Sequence, residues 1–181
     1  MSSRALIVVD IQNDYFPGGK WPLSGVEAAA DNAAQVLAAA RAAGDLVVHV
    51  RHEFPSADAP FFVPDSDGAQ IHPKVRVQGE EPVVLKHQIN AFRDTELAGL
   101  LTAHGIKELV VVGNMSHICI DGVTRAAADF GYQVTVVHDA CAACDQTFNG
   151  LTIPAAHVHG AFMAALAFGY ASVVSTRELL A

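Results

Sequence analysis

Six short runs of this chain are almost unbroken in apolar residues, and they restrict the fold more than any other feature. They are Ala5–Val9, Leu46–Val50, Pro82–Leu85, Leu109–Val112, Val134–Val137 and Ala171–Val174. A strand with one wet face alternates apolar and polar residues, whereas an unbroken run needs cover on both faces. Helix-like stretches separate most of these runs. Val26–Ala43 is rich in alanine and stops at Gly44, while Asp94–His104 stops at Gly105, Ile118–Phe130 at Gly131 and His157–Phe168 at Gly169. Glycine just past the last turn ends helices because it enters the left-handed conformation without steric cost. Alternating strands and helices predict an α/β chain, a three-layer αβα domain around a mostly parallel six-stranded sheet of Rossmann-like type. A single domain over residues 1–181 is expected.

The alternation fails in two places. Arg51 to Glu81 holds Pro55, Pro60, Pro64, Pro73, Gly68 and Gly79 and no clear helix. A loop of that length in a compact domain is often a lid, a binding segment or an interface, and a plain surface excursion has the same length. Ala140–Pro154 is the second irregular stretch.

Composition narrows the function classes. A chain of 181 residues with 51% hydrophobic and 17% charged residues is not a disordered one. Eleven Lys and Arg against nineteen Asp and Glu leave a net charge of −8, which argues against nucleic acid as a partner. The apolar stretches break well before the roughly 20 residues that span a bilayer. Met1–Val9 is too short for a signal peptide, so the expectation is a cytoplasmic protein with no membrane partner. Three cysteines, Cys119, Cys141 and Cys144, suit a reducing compartment better than a disulfide scaffold.

In a parallel α/β sheet, ligands bind beyond the carboxyl ends of the strands. Asp10 follows the first run, Lys86 the third, and Cys119 opens a helix shortly after the fourth. A thiol must become a thiolate to attack, and both a helix start and a nearby ammonium favour that form. A carboxylate can take the thiol proton and return it to a leaving amine. Backbone N–H groups at the turn can bind an oxyanion. The set therefore reads as nucleophilic acyl transfer. Each member also has a plainer reading: a small buried thiol, a turn-capping Asp, a solvated Lys.

These residues resemble the isochorismatase-like cysteine hydrolase superfamily over nearly the whole chain. The resemblance rests on Leu6-Ile7-Val8-Val9-Asp10-Ile11-Gln12-Asn13-Asp14-Tyr15-Phe16, on Val84-Leu85-Lys86 with Asn90-Ala91-Phe92, and on Val112-Gly113-Asn114-Met115-Ser116-His117-Ile118-Cys119. Asp139-Ala140-Cys141-Ala142 and His157 continue it. It implies a catalytic triad with Cys119 as nucleophile, Asp10 as base and acid, and Lys86 as the charge between them. It also implies a cis peptide at Asn114–Met115 and an oxyanion hole formed by the N–H groups of Met115 and Cys119. Tyr15, Phe16, Asn90 and His117 are the candidate substrate-binding residues. The expected reaction is cleavage of a C–N bond in a small molecule through an acyl thioester.

Nicotinamidases of this superfamily carry an Asp-x-His metal motif after the second strand. This chain has Val50-Arg51-His52-Glu53-Phe54 there, with His52 and Phe54 in the ligand positions. The resemblance thus points to a branch outside the nicotinamidases, with no metal and no cofactor. It also implies a homodimer or homotetramer. The segment Ala156–Phe168 mixes alanines with Phe162, Met163 and Leu166, which fits close helix packing in the core or across a subunit face.

Other residues invite different readings. Cys141-Ala142-Ala143-Cys144 is a CxxC, so a redox-sensing or non-catalytic member of the fold is the alternative function. His157 and His159 could complete a zinc site with that pair, but their spacing is too tight for one helical face. His49 and His52 lack an obvious third ligand and read as core or loop residues. Phe16, Trp21, Phe61 and Phe62 fall on loops, where they could line a pocket, pack a lid or meet another subunit.

Overall fold

The computed structural model describes residues 2–181. In chain order the strands are β1 (Arg4–Val9), β2 (Leu46–His52), β3 (Val83–Lys86), β4 (Glu108–Asn114), β5 (Gln133–Ala142), β6 (Gln146–Phe148), β7 (Leu151–Ile153) and β8 (Ser172–Val174). The helices are α1 (Val26–Ala43), α2 (Leu97–Ala103), α3 (Asp121–Asp129), α4 (Ala155–Gly169) and α5 (Thr176–Leu180). Six strands form one sheet in the order β3-β2-β1-β4-β5-β8, and every pairing in it is parallel.

The apolar runs build this sheet for the reason anticipated from sequence: both faces are buried. Leu6 and Val8 of β1 join Val47, Val110 and Val112 under α1. Their neighbours Ala5, Ile7 and Val9 point the other way and join Val48, Val50 and Val111. Leu97 and Leu101 of α2, Val123 of α3, and Met163 and Leu166 of α4 cover that second face. Helix α1 buries Val26, Ala29, Ala30, Ala33, Val36, Leu37 and Ala40, a single stripe at helical spacing. Among the described residues no helix is long and apolar enough to cross a membrane.

The sheet order reverses beside β1, where β2 lies on one side and β4 on the other. Such a reversal opens a crevice at the carboxyl edge. Gly113 lets β4 close tightly there. It has φ of 127°, and a Cβ on it would stand 1.9 Å from the Val9 carbonyl oxygen.

The Arg51–Glu81 excursion is packed structure. Phe61, Phe62, Ala69 and Val75 are buried in the core on the α1 side. The Phe62 ring sits 4.6 Å from that of Tyr15, and Phe61 lies 5.0 Å from Trp21. The Asp14 carboxylate accepts the Phe62 N–H at 2.7 Å. Where the segment rejoins the sheet, Arg41 of α1 donates twice to Glu81, at 2.6 and 2.8 Å, and His49 Nε2 lies 3.0 Å from the same carboxylate.

Several boundaries differ from the sequence reading. Helix α2 begins at Leu97 rather than Asp94, because Asp94 adopts φ of 57° and the Asn90 side chain accepts the Phe92 N–H in a turn. Helix α3 begins at Asp121, preceded by a π-helical turn over Ser116–Ile120. The stretch expected to be irregular contains the rest of β5 and the β6–β7 hairpin. A short helix, α5, closes the chain behind a Ser175–Glu178 capping box.

Candidate active site

Three sheet elements deliver one carboxylate, one ammonium and one thiol to the same point. Asp10 follows β1 with φ of 50°, and its N–H donates to the Val50 carbonyl at 2.9 Å. Lys86 is the last residue of β3 and is fully buried. Cys119 lies in the turn after β4 and is also buried. Lys86 Nζ stands 2.8 Å from Asp10 Oδ2 and 3.2 Å from Cys119 Sγ. A fourth residue completes the cluster: His52 Nδ1, at the end of β2, is 3.0 Å from the same Nζ.

The turn that carries Cys119 is held from several sides. The Asn114–Met115 peptide is cis. The Met115 carbonyl accepts N–H groups from Ile118 and Ile120, at 3.0 and 3.2 Å. Ser116 Oγ lies 3.1 Å from the Ala142 carbonyl and 2.7 Å from His159 Nδ1, which ties the turn to β5 and α4. Asn114 Nδ2 donates to the Asp10 carbonyl at 3.4 Å.

Burial sets the resting charges. It pushes the Cys119 thiol well above its ordinary value, the neighbouring Asp10 carboxylate adds to this, and Lys86 opposes both. The sequence reading expected the ammonium and the helix start to favour thiolate. Lys86 acts in that direction, but burial and the Asp10 carboxylate outweigh it and favour the thiol. Burial disfavours the Lys86 ammonium, but Asp10 and Cys119 outweigh it and hold the amine charged. Burial, then Lys86, lowers His52 to about 4, so the ring is neutral.

The substrate-binding candidates fare differently. Tyr15 is buried with its ring 4.6 Å from that of Phe62, and burial first, then the Asp10 charge, raises its hydroxyl. His117 is buried and kept neutral by that burial, and its Nδ1 has no hydrogen-bond partner among the described residues. Phe16 is stacked on His72 with ring centroids 3.5 Å apart, so its face is already occupied. Asn90 is half-buried, and its Oδ1 is spent on the Phe92 N–H.

The position of a nicotinamidase-type metal does not fit one here. His52 Nδ1 faces an ammonium, and Phe54, edge-on to His52 at 4.6 Å, has no donor atom. The CxxC cysteines are both free and pack toward different cores. Cys141 lies with Val111 and Val136, and its Sγ is 3.3 Å from the Val137 carbonyl. Burial lifts the Cys141 thiol to about 12. Cys144 packs on the opposite side, 3.8 Å from Met115 Sδ.

Sequence reasoning read His52 as a core or loop residue and did not place it with the triad, although it closes β2 at the same carboxyl edge as Asp10 and Lys86. Gln12 was also missed as the residue that fixes it. Its side chain accepts the His52 N–H and donates to the His52 and Ala69 carbonyls, each at 2.8 Å.

The isochorismatase domain family model matches residues 4–175. The chain is 48% identical over 178 residues to the uncharacterised isochorismatase family protein YddQ of Bacillus subtilis, covering 98% of this chain and 99% of that one. It is 35% identical over 142 residues to streptothricin hydrolase of Streptomyces noursei, covering 78% of this chain and 50% of that protein. Further relatives are named as amidohydrolases. A crystal structure described as an isochorismatase hydrolase from Oleispira antarctica superposes with a TM-score of 0.94 at 59% identity, covering 97% of this chain and 95% of that one. The family match, the full-length relative and the shared fold agree: this chain belongs to the isochorismatase family.

Proposed function

We propose that this protein is a cysteine hydrolase that cleaves the C–N bond of a small amide through an acyl thioester on Cys119. One observation carries the reading: Lys86 Nζ bridges Asp10 Oδ2 at 2.8 Å and Cys119 Sγ at 3.2 Å, all buried at the sheet's reversal point. Relatives that act as amidohydrolases support the choice of bond.

Asp10 takes the thiol proton as Sγ adds to the amide carbonyl carbon. The carbonyl π pair moves to oxygen, where the N–H groups of Met115 and Cys119 receive the charge. Collapse of that oxyanion expels the nitrogen, which takes the proton from Asp10 and leaves as an amine. Asp10 then deprotonates water, which adds to the thioester carbonyl. The sulfur departs, recovers a proton through Asp10, and a carboxylic acid is released. Lys86 stays charged throughout, keeping a cation beside the carboxylate and sulfur as negative charge passes between them.

The test is a panel of small primary and secondary amides with Cys119→Ala and Asp10→Asn. Both variants should lose amine release while keeping the wild-type circular dichroism. Full turnover by Cys119→Ala would refute the reading.

A further inference from the structure

We propose that His52 is a positioning residue that fixes the Lys86 ammonium between Asp10 and Cys119. The inference deepens the cysteine-hydrolase reading and rests on it.

An ammonium group has three protons, and each needs an acceptor once water is excluded. Lys86 is fully buried, so no solvent can supply one. The triad provides two partners, Asp10 Oδ2 at 2.8 Å and Cys119 Sγ at 3.2 Å. The third is His52 Nδ1 at 3.0 Å. Without it one N–H would be left unpaired, and the amine could rotate away from sulfur. Three partners within 3.2 Å, one of them an ion pair, surround the amine.

The arrangement demands one tautomer. Nδ1 must offer its lone pair to the ammonium, so the ring proton resides on Nε2. The ring's surroundings keep it neutral: burial first, then the Lys86 charge, with His87 adding to the effect and Asp10 and a hydrogen bond to the Gln88 backbone opposing it. The backbone is equally constrained, because Gln12 accepts the His52 N–H and donates to its carbonyl. Phe54 meets the ring edge-on, and Phe62 lies 6.2 Å away. These groups leave the imidazole little room to turn. Where a metal ligand stands in the nicotinamidase pattern, this chain thus has an acceptor that serves the triad's own cation.

Two measurements test this. Long-range proton–nitrogen NMR of the histidine rings reports the tautomer directly. Between about pH 5 and 8 the His52 Nδ1 should stay unprotonated and Nε2 protonated. A proton on Nδ1 in that range would overturn the proposal. The second is the pH profile of Cys119 alkylation by iodoacetamide, read by peptide mass, in wild type, His52→Asn and His52→Leu. Asn hangs an oxygen acceptor from Cγ at the place of Nδ1, and Leu cannot accept. His52→Leu should slow alkylation by about 10- to 100-fold at fixed pH, the scale of a lost hydrogen bond to a charge. His52→Asn should restore most of it. Equal profiles for Asn and Leu, or a Leu variant that only melts earlier, would refute positioning. A wild-type Cys119 that never alkylates would instead count against the thiol nucleophile, while the ring tautomer would still decide the role of His52.

Discussion

Replacing Lys86 with methionine tests the buried pair at the centre of the site. Methionine keeps most of the length and removes the charge. Both partners are wholly inaccessible, with Nζ 2.8 Å from Asp10 Oδ2. Removing one member of such a pair strands the other charge, which costs about 3–5 kcal/mol. At roughly 2–4 °C per kcal/mol for a chain of this size, Lys86→Met should melt about 6–20 °C below wild type. The diagnostic step is the double variant. Asp10→Asn removes the stranded carboxylate, so Asp10→Asn/Lys86→Met should be less destabilised than the sum of its singles, by more than about 1 kcal/mol. Thermal and urea melts followed by circular dichroism give all four corners of the cycle. Additive singles, or a Lys86→Met variant that melts with wild type, would mean that the ammonium and carboxylate do not form a buried ion pair.

Three further outcomes follow from other parts of the molecule. Glu81 is pushed up by burial, but its bonds with Arg41, Gln78 and His49 more than reverse this and bring it to about 2. A carboxyl held below its unfolded value of about 4.3 stabilises the fold above that value, and the gain is lost as pH falls toward 2. The stability gap between wild type and Glu81→Gln should therefore be about 1–2 kcal/mol near neutrality, allowing for partial exposure, and should close between about pH 5 and 2 in urea melts. Gly113→Ala should leave little folded protein in a soluble-expression assay, because its Cβ would meet the Val9 carbonyl at 1.9 Å. We also propose a homodimer or homotetramer, since helix α4 carries no Asp, Glu, Lys or Arg and Phe148, Leu151 and Phe168 are exposed nearby in sequence; sedimentation equilibrium giving a monomer would reject this.

Much of the fold was written in local pattern. The unbroken apolar runs located every strand of the main sheet because a doubly covered strand has no need of polar alternation. Glycine stops located the ends of α1 and α3 because backbone conformation there is decided locally. What escaped was decided by different signals. The β6–β7 hairpin turns on Asn149 and Gly150, both with positive φ, so the Asn-Gly pair did announce it. Helix α5 was marked by Ser175 and Glu178, a capping box easily overlooked on so short a helix. The start of α3 was displaced by hydrogen bonds that converge on the Met115 carbonyl, a tertiary arrangement that helix periodicity does not encode.

The candidate site was legible to a similar depth. The positions of Asp10, Lys86 and Cys119 followed from the rule that ligands meet strand ends. The same rule applied to β2 would have reached His52, which was read instead as a core or loop residue. The charge state of Cys119 was not legible, because it depends on how deeply the sulfur is buried and how near Asp10 stands. Sequence places these residues at one edge, and only packing determines which proton each one holds.

The central claim is that Cys119 carries the acyl group between amide cleavage and hydrolysis. Intact-protein mass spectrometry after rapid acid quench, with a mixed panel of small amides, measures this most directly. The account predicts an added acyl mass that maps to the Cys119 peptide and disappears in Cys119→Ala. Steady turnover by Cys119→Ala, or an adduct that maps to Cys141 or Cys144, would contradict it.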